Sequence, residues 1–310
     1  MNCSIVIRAY NEEKHIGRLL HGIRHQTLKD VEVILVDSGS SDSTVSMAES
    51  FGARVERIRP EEFTFGRSLN LGVQAATRDF VVIASAHVYP VYPDWLASLL
   101  HPFEDERIGL TYGKQRGPES AKFSEQQIYH QWYPDASKLR QETVFCNNAN
   151  AAIRKSLWEQ NHYDETLTGL EDLAWAKWAR EQGYGIAYVA DAEIIHVHNE
   201  TPQDVFNRYR REAMAFKQIY PEAHFNLYDF ARLTTMNILS DLWHAAQERM
   251  LSKNFSSIFW YRFMQFHGTR TGYRESGLLT PQLRDTFYYA RERKTKDGTK
   301  RDVEPIRYDK

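Results

Sequence analysis

Cysteine is scarce: Cys3 and Cys146 are the two in 310 residues. They stand far apart, which excludes a disulfide-stapled scaffold and fits a reducing compartment. A large charge of one sign is also missing. The formal net charge of −2 excludes a general polyanion-binding surface, so no nucleic-acid partner is expected. No apolar run approaches the roughly 18 residues needed to span a bilayer. The opening MNCSIVIRAYNEE meets charge too early for a signal peptide. A cytoplasmic location is therefore expected, with the inner face of the membrane as a surface the protein would touch. Three motifs are absent too. No strand leads into G-x-G-x-x-G, G-x-x-x-x-G-K-[ST] does not occur, and DSGSS lacks the spacing of G-x-S-x-G. Those absences count against dehydrogenase, P-loop and hydrolase chemistry. There is no internal repeat.

What is present is a globular composition, with 42% hydrophobic and 26% charged residues, on a chain long enough for a sizeable core. Ser4-Ile5-Val6-Ile7 predicts a buried strand, and Asn11 is placed to cap a helix over EEKHIGRLLHGIRHQ. There Ile16, Leu19, Leu20 and Ile23 make one apolar face. VEVILV, RVERI and DFVVIAS read as further strands, and the segment through Glu49 and GRSLNLGVQAA as helices. GLEDLAWAKWAREQG predicts a helix opened by two acids and closed by glycine, and GIAYVADAEIIHVHN one or two strands. Successive β-α units with uninterrupted apolar strands predict an α/β fold: a mainly parallel, Rossmann-like central sheet with helices on both faces. Strand signals stop after Thr201, and amphipathic, aromatic-rich segments run to about Glu292. The expected division is a ligand-binding and catalytic domain over 1–200 and a helical extension over 201–310, ending in the polar, loosely ordered tail KTKDGTKRDVEPIRYDK.

Ligands of such sheets bind beyond the carboxyl ends of the strands. Three polar clusters fall there: Tyr10-Asn11-Glu12, Asp37 to Asp42, and Ser85-Ala86-His87. Together with FGRSLNLGVQAA, NNANAAIRKSLW and GLEDLAW, the segments IVIRAYNEEKHIGRLLHGIRHQT and VEVILVDSGSSDST resemble a family-2 glycosyltransferase of the GT-A fold over about residues 3–215. HVHNETPQDVFNRYRREAMAF is most similar to bacterial rhamnosyltransferase-type enzymes of surface-polysaccharide synthesis.

The resemblance implies a nucleotide-sugar donor and a glycan or lipid-linked glycan acceptor. The donor set it suggests is Tyr10, Asn11, Glu12, Asp37, Arg67, Asn70, Ser85 and His87. Asp37 would accept from a pyrimidine N–H or a ribose hydroxyl, although closing its own turn also explains it, and capping alone explains Asn11. Arg67 and Asn70, three apart on one helical face, would aim at the same crevice, where a guanidinium suits a diphosphate; a surface arginine is the plainer reading. Inverting transfer needs a carboxylate to take the acceptor hydroxyl proton as oxygen attacks the anomeric carbon opposite the departing diphosphate. That role falls to Asp172, with Glu171 as an acceptor contact, while the helix dipole accounts for acids there without chemistry.

The family usually carries Asp-x-Asp where this chain has Ser85-Ala86-His87, its second acid holding a divalent cation. Imidazole suits Mn(II) better than Mg(II), so manganese is the expected cation, held by His87 with His196 and His198. The latter two lie two apart on a strand and so share a face. Direct phosphate contact and simple packing are the alternatives for all three. Without a metal, one of Arg208, Arg210 and Arg211 would fold over the diphosphate; a solvated face is the plainer reading of these arginines. Trp95, Trp132 and Trp158 are read first as packing and second as sugar-stacking surfaces. FSSIFWYRFMQF is read first as packing, then as a homodimer contact or a lipid-linked acceptor contact. Two rivals stay open: a nucleotide-sugar-binding protein that has lost catalysis, and a sugar nucleotidyltransferase. The retained Glu171-Asp172 argues against the first, and the lack of a glycine-rich basic opening against the second.

Overall fold

The computed structural model describes residues 1–275 and 280–288. The strands are β1 (Cys3–Ala9), β2 (Val31–Asp37), β3 (Arg54–Arg57), β4 (Phe80–Ser85), β5 (Val88–Pro90), β6 (Ile108–Arg116), β7 (Asn150–Arg154) and β8 (Gly185–His196). The helices are α1 (Ile16–Arg24), α2 (Thr44–Ser50), α3 (Phe65–Ala75), α4 (Trp95–Leu100), α5 (Phe123–Trp132), α6 (Lys155–Trp158), α7 (Glu171–Glu181), α8 (Pro202–Ile219), α9 (Leu227–Gln247), α10 (Leu251–Arg274) and α11 (Pro281–Tyr288).

The strands form one mixed, mainly parallel sheet in the order β3-β2-β1-β4-β7-β6-β8-β5. The first four run parallel, as their continuous apolar sequences predict. β7 then enters antiparallel between β4 and β6, β8 runs parallel to β6, and β5 pairs antiparallel with β8. One face is covered by Ile16, Leu19 and Leu20 of α1 with Trp95, Leu96 and Leu99 of α4. The other is covered by Leu69 and Val73 of α3, Trp158 of α6 and Trp175 of α7.

The helix expected to start at Asn11 starts at Ile16 instead. Asn11 adopts a left-handed φ of 52°. The amides of His15 and Ile16 both donate to the Glu12 carbonyl, so a turn precedes the helix. The Asn11 side chain therefore caps no helix; its Oδ1 accepts from the Ser41 amide at 2.8 Å and ties the β1 loop to the β2 loop.

Strand order decides what meets at the crevice. Parallel β1, β2 and β4 bring Tyr10, Ser38 and Ser85 to one edge, and because β7 runs antiparallel to β4, the loop residues Asn147 and Asn148 just before it reach that edge too. Pairing of Val88 with His196 carries the end of β8 alongside His87.

The C-terminal helices open at α8 with a capping box in which Thr201 and Asp204 satisfy each other's backbone N–H groups. α10 lies directly on α8. A Cβ at Gly268 would meet the Phe206 carbonyl oxygen at 2.4 Å, so these backbones approach more closely than a side chain permits. Arg262 and Asp241 form a bidentate pair at 2.7 and 2.9 Å, buried between α9 and α10. Among the described residues no helix is long and apolar enough to cross a membrane. The polar tail, and the stretch from 289 to 292 given to the helical segments, lie outside the described residues.

Trp95 and Trp158 are framework residues, donating their indole N–H to Asn150 and Asn70 at 2.8 and 3.0 Å. Trp132 is instead half exposed and stacks on Phe145.

Candidate active site

The crevice is walled by Arg8, Tyr10, Glu12, Ser38, Ser85 and His87 from the sheet edge, and by the loop 147–149 and residues 169–172 from the opposite side. Arg208, Arg211 and Glu212 of α8, with Phe287 and Tyr288 of α11, complete it.

Asp172 and Glu171 begin α7, where free amides favour acids. Leu170, at a left-handed φ of 56°, turns the chain into the helix. The Asp172 Oδ2 accepts from the Asn148 amide at 2.9 Å, and Oδ1 from the Leu173 amide at 2.8 Å. Burial pushes its pKa up to about 7, the Glu171 charge adds to the rise, and the two amides and Arg8 oppose it. Glu171 reaches across to Arg8 Nη1 at 3.3 Å, which gives that buried acid its counter-charge. The Arg8 guanidinium also lies 4.6 Å from the centroid of Phe65, whose ring has Arg211 at 4.7 Å as well.

His87, His196 and His198 do converge: one ring nitrogen from each lies within 4.8 Å of the others. Each Nδ1 already faces an oxygen acceptor: Glu12 at 2.9 Å, Gln115 at 2.8 Å and Glu125 at 2.5 Å, respectively. That leaves Nε2 as the nitrogen to offer, the arrangement in which metal-binding imidazoles are oriented from behind. Ser85 Oγ sits 3.1 Å from the Nε2 of His87. Burial, helped by His198, His87 and Arg208, holds the His196 pKa well below its ordinary value, so this imidazole stays neutral with a lone pair to give. The donor set thus fits a divalent transition ion.

Other expected donor contacts lie elsewhere. Asn70 is spent on structure: its amide donates to the Tyr163 carbonyl and Glu165, and its Oδ1 accepts from Trp158 and Tyr163. Arg67 faces Glu62 and Glu165 at 3.8 and 3.7 Å on the surface. Neither side chain lines the crevice, because the face of α3 that carries them packs toward residues 158–165. Asp37 is buried, and its carboxylate accepts from the Gly39 and Ser40 amides, closing its own turn next to Ser38.

Four residues at the crevice carried no clear mark in sequence. Arg8 sits inside an apolar strand and Phe65 at the start of an amphipathic helix. Arg208 and Arg211 belong to a basic run read chiefly as a solvated face. In the structure Arg208 is held in the crevice wall by Glu200 at 2.7 Å and the Tyr261 hydroxyl at 3.1 Å, Arg211 lies over Phe65, and only Arg210 turns away to Glu275.

The chain is similar in sequence or in fold to known proteins. An O-antigen chain rhamnosyltransferase of Salmonella typhimurium is 29% identical over 222 residues, covering 67% of this chain and 70% of that one. A second, from Salmonella anatum, is 30% identical over 218 residues, covering 66% and 69%. Among solved structures, a mannosyltransferase of Pyrobaculum calidifontis in complex with GDP-Man and Mn2+ superposes with a TM-score of 0.59 at 19% identity, covering 85% of this chain and 84% of that one. S. aureus TarS 1–349 in complex with UDP-GlcNAc gives 0.55 at 17%, covering 88% and 91%. These likenesses identify the GT-A fold. Glycosyl transferase family 2 matches residues 4–160, half of the chain, and with it the β1, β2 and β4 edge that forms the crevice: the chain belongs to glycosyl transferase family 2.

Proposed function

We propose that this glycosyltransferase is inverting and moves a hexosyl or deoxyhexosyl group from a nucleotide sugar to a hydroxyl of a glycan or lipid-linked glycan in surface-polysaccharide synthesis, at the cytoplasmic face of the membrane. The observation that carries the reading is Asp172. It is a buried carboxylate at the crevice, oriented by two amides, whose pKa is pushed up to about 7, where a general base works best near neutral pH. Arg8 pairs with Glu171 and favours the ionised form of Asp172, offsetting part of the rise that burial and the Glu171 charge produce. Tyr10, Glu12, Ser38, Ser85 and His87 face the donor side. Asp37 orders the adjoining turn, and Arg208 and Arg211 bring fixed positive charge to where a diphosphate would lie.

His87, His196 and His198 would hold a divalent cation, Mn(II) in preference to Mg(II) on ligand softness. A cation there supplies charge neutralisation to the leaving diphosphate. The Mn2+ in the Pyrobaculum complex supports a divalent cation, and the O-antigen relatives support surface-polysaccharide synthesis. We read 1–200 as the donor-binding and catalytic domain and 201–310 as a helical extension whose first helix reaches into the site. The test is turnover of a nucleotide-sugar panel with Mn2+, Mg2+ or chelator, by wild type and Asp172→Asn. Loss of transfer in a folded variant is expected; retained transfer would remove Asp172 from the mechanism.

A further inference from the structure

The segment NNAN carries three asparagines, and the structure accounts for the outer two. Asn147 Oδ1 accepts from the Ala149 amide at 2.9 Å. Asn150 is saturated: it accepts from the Trp95 indole and donates to the Lys114 and Ala192 carbonyls. Asn148 between them is different. It lines the crevice at 3% exposure, yet neither Nδ2 nor Oδ1 of its carboxamide has a hydrogen-bond partner among the described residues. Buried carboxamides are ordinarily paired, so one left without a partner in a pocket wall calls for a partner from outside the protein.

Its position says what. The Asn148 backbone N–H holds Asp172 Oδ2, so the unpaired carboxamide belongs to the residue whose main chain orients the carboxylate proposed as base. Gly169 and Glu171 line the same stretch of wall. A carboxamide offers a donor and an acceptor side by side in one plane. That pattern complements two hydroxyls on adjacent carbons of a sugar ring, Nδ2 donating to one oxygen while Oδ1 accepts from the other hydroxyl.

We propose that Asn148 is a specificity-determining residue that reads a pair of adjacent sugar hydroxyls beside Asp172. The inference rests on the glycosyltransferase reading of the crevice. The hydroxyl pair belongs either to the acceptor or to the transferred sugar of the donor, and the chemistry of recognition is the same for both.

The test compares wild type, Asn148→Ala and Asn148→Ser with the active donor–acceptor pair and with monodeoxy analogues of each sugar. Wild type is expected to reject at least one analogue by about tenfold or more in kcat/KM, because a missing hydroxyl leaves the carboxamide unpaired. Both variants should lose activity on the parent and treat parent and that analogue alike. Collapse of discrimination on an acceptor analogue assigns the pair to the acceptor, and collapse on a donor analogue assigns it to the donor. Calorimetric binding of the parent and deoxy nucleotide sugars and acceptors reads the same discrimination without turnover. An active Asp172→Asn would therefore overturn the base assignment without touching this one. A wild type indifferent to every deoxy analogue, or variants that keep parent activity or full discrimination with unchanged melting temperature, would overturn the role of Asn148.

Discussion

A carboxylate can take a proton at neutral pH only if something raises its proton affinity, and at Asp172 burial is that cause, with Glu171 adding to it. The acid limb of kcat/KM should accordingly titrate near pH 7, activity rising with pH as Asp172 ionises. Stability should move the other way. Between the ordinary value of 3.8 and the folded value of about 7, the folded protein holds a proton that the unfolded chain releases, so stability falls as pH rises through that window. Asp172→Asn removes this ionisation penalty. At pH 8 it should melt no lower than wild type while transfer falls by roughly 10²–10⁴-fold; a large drop in melting temperature would make the loss merely structural. Arg8 favours the ionised form of Asp172. Arg8→Met should therefore shift the acid limb to higher pH, measured as the pH profile of kcat/KM, and an unshifted profile would show that the Arg8 charge does not reach the base.

Elements place these residues by packing that local sequence does not announce. The spacing of Arg67 and Asn70 puts them near one face of α3, but which way that face points depends on segment 158–165, where Asn70 makes four hydrogen bonds. α11 closes one end of the crevice: Tyr288 packs edge-on to Phe63 and Phe65 with centroids 5.0 Å away, and its hydroxyl donates to the Thr168 carbonyl at 3.0 Å. Tyr288→Ala should raise the donor KM several-fold with kcat little changed; an unchanged KM in steady-state kinetics would make α11 a bystander. Between α9 and α10, Asp241→Ala would strand the buried Arg262 guanidinium and should cost about 3–5 kcal/mol in denaturant unfolding.

At the scale of the molecule, the helical extension is part of the site. Arg208, Arg211 and Glu212 come from α8, and α5, α9 and α10 share the small core of Phe123, Ala245 and Ile258. A chain ending at Glu200 should therefore lose donor binding even where circular dichroism shows its sheet intact, whereas binding at full-length affinity would confine the site to residues 1–200. Along α9 and α10 the exposed large residues include Met236, Leu239, Trp243, Phe255, Phe259 and Phe263, while the Asp241–Arg262 pair is turned inward.

Runs such as SIVI, VEVILV and FVVIAS, bounded by polar turns, determine by themselves the parallel half of the sheet. Hydrophobic period and turn chemistry are local properties, so the edge with Tyr10, Ser38 and Ser85 was legible, as was the pair Glu171-Asp172 at a helix start. β5, β6 and β7 were not legible as a mixed sheet, because antiparallel entry depends on pairing partners distant in the chain. The same holds for the residues that finish the crevice. Arg8 reads as a charged residue in a buried strand, and only its approach to Glu171, 163 positions away, gives it a place. The departure at Ser85-Ala86-His87 was visible at once. That His87, His196 and His198 meet, each backed by its own acceptor, was decided by the pairing of β5 with β8, because side chains far apart in sequence share a site only when strand register carries them there.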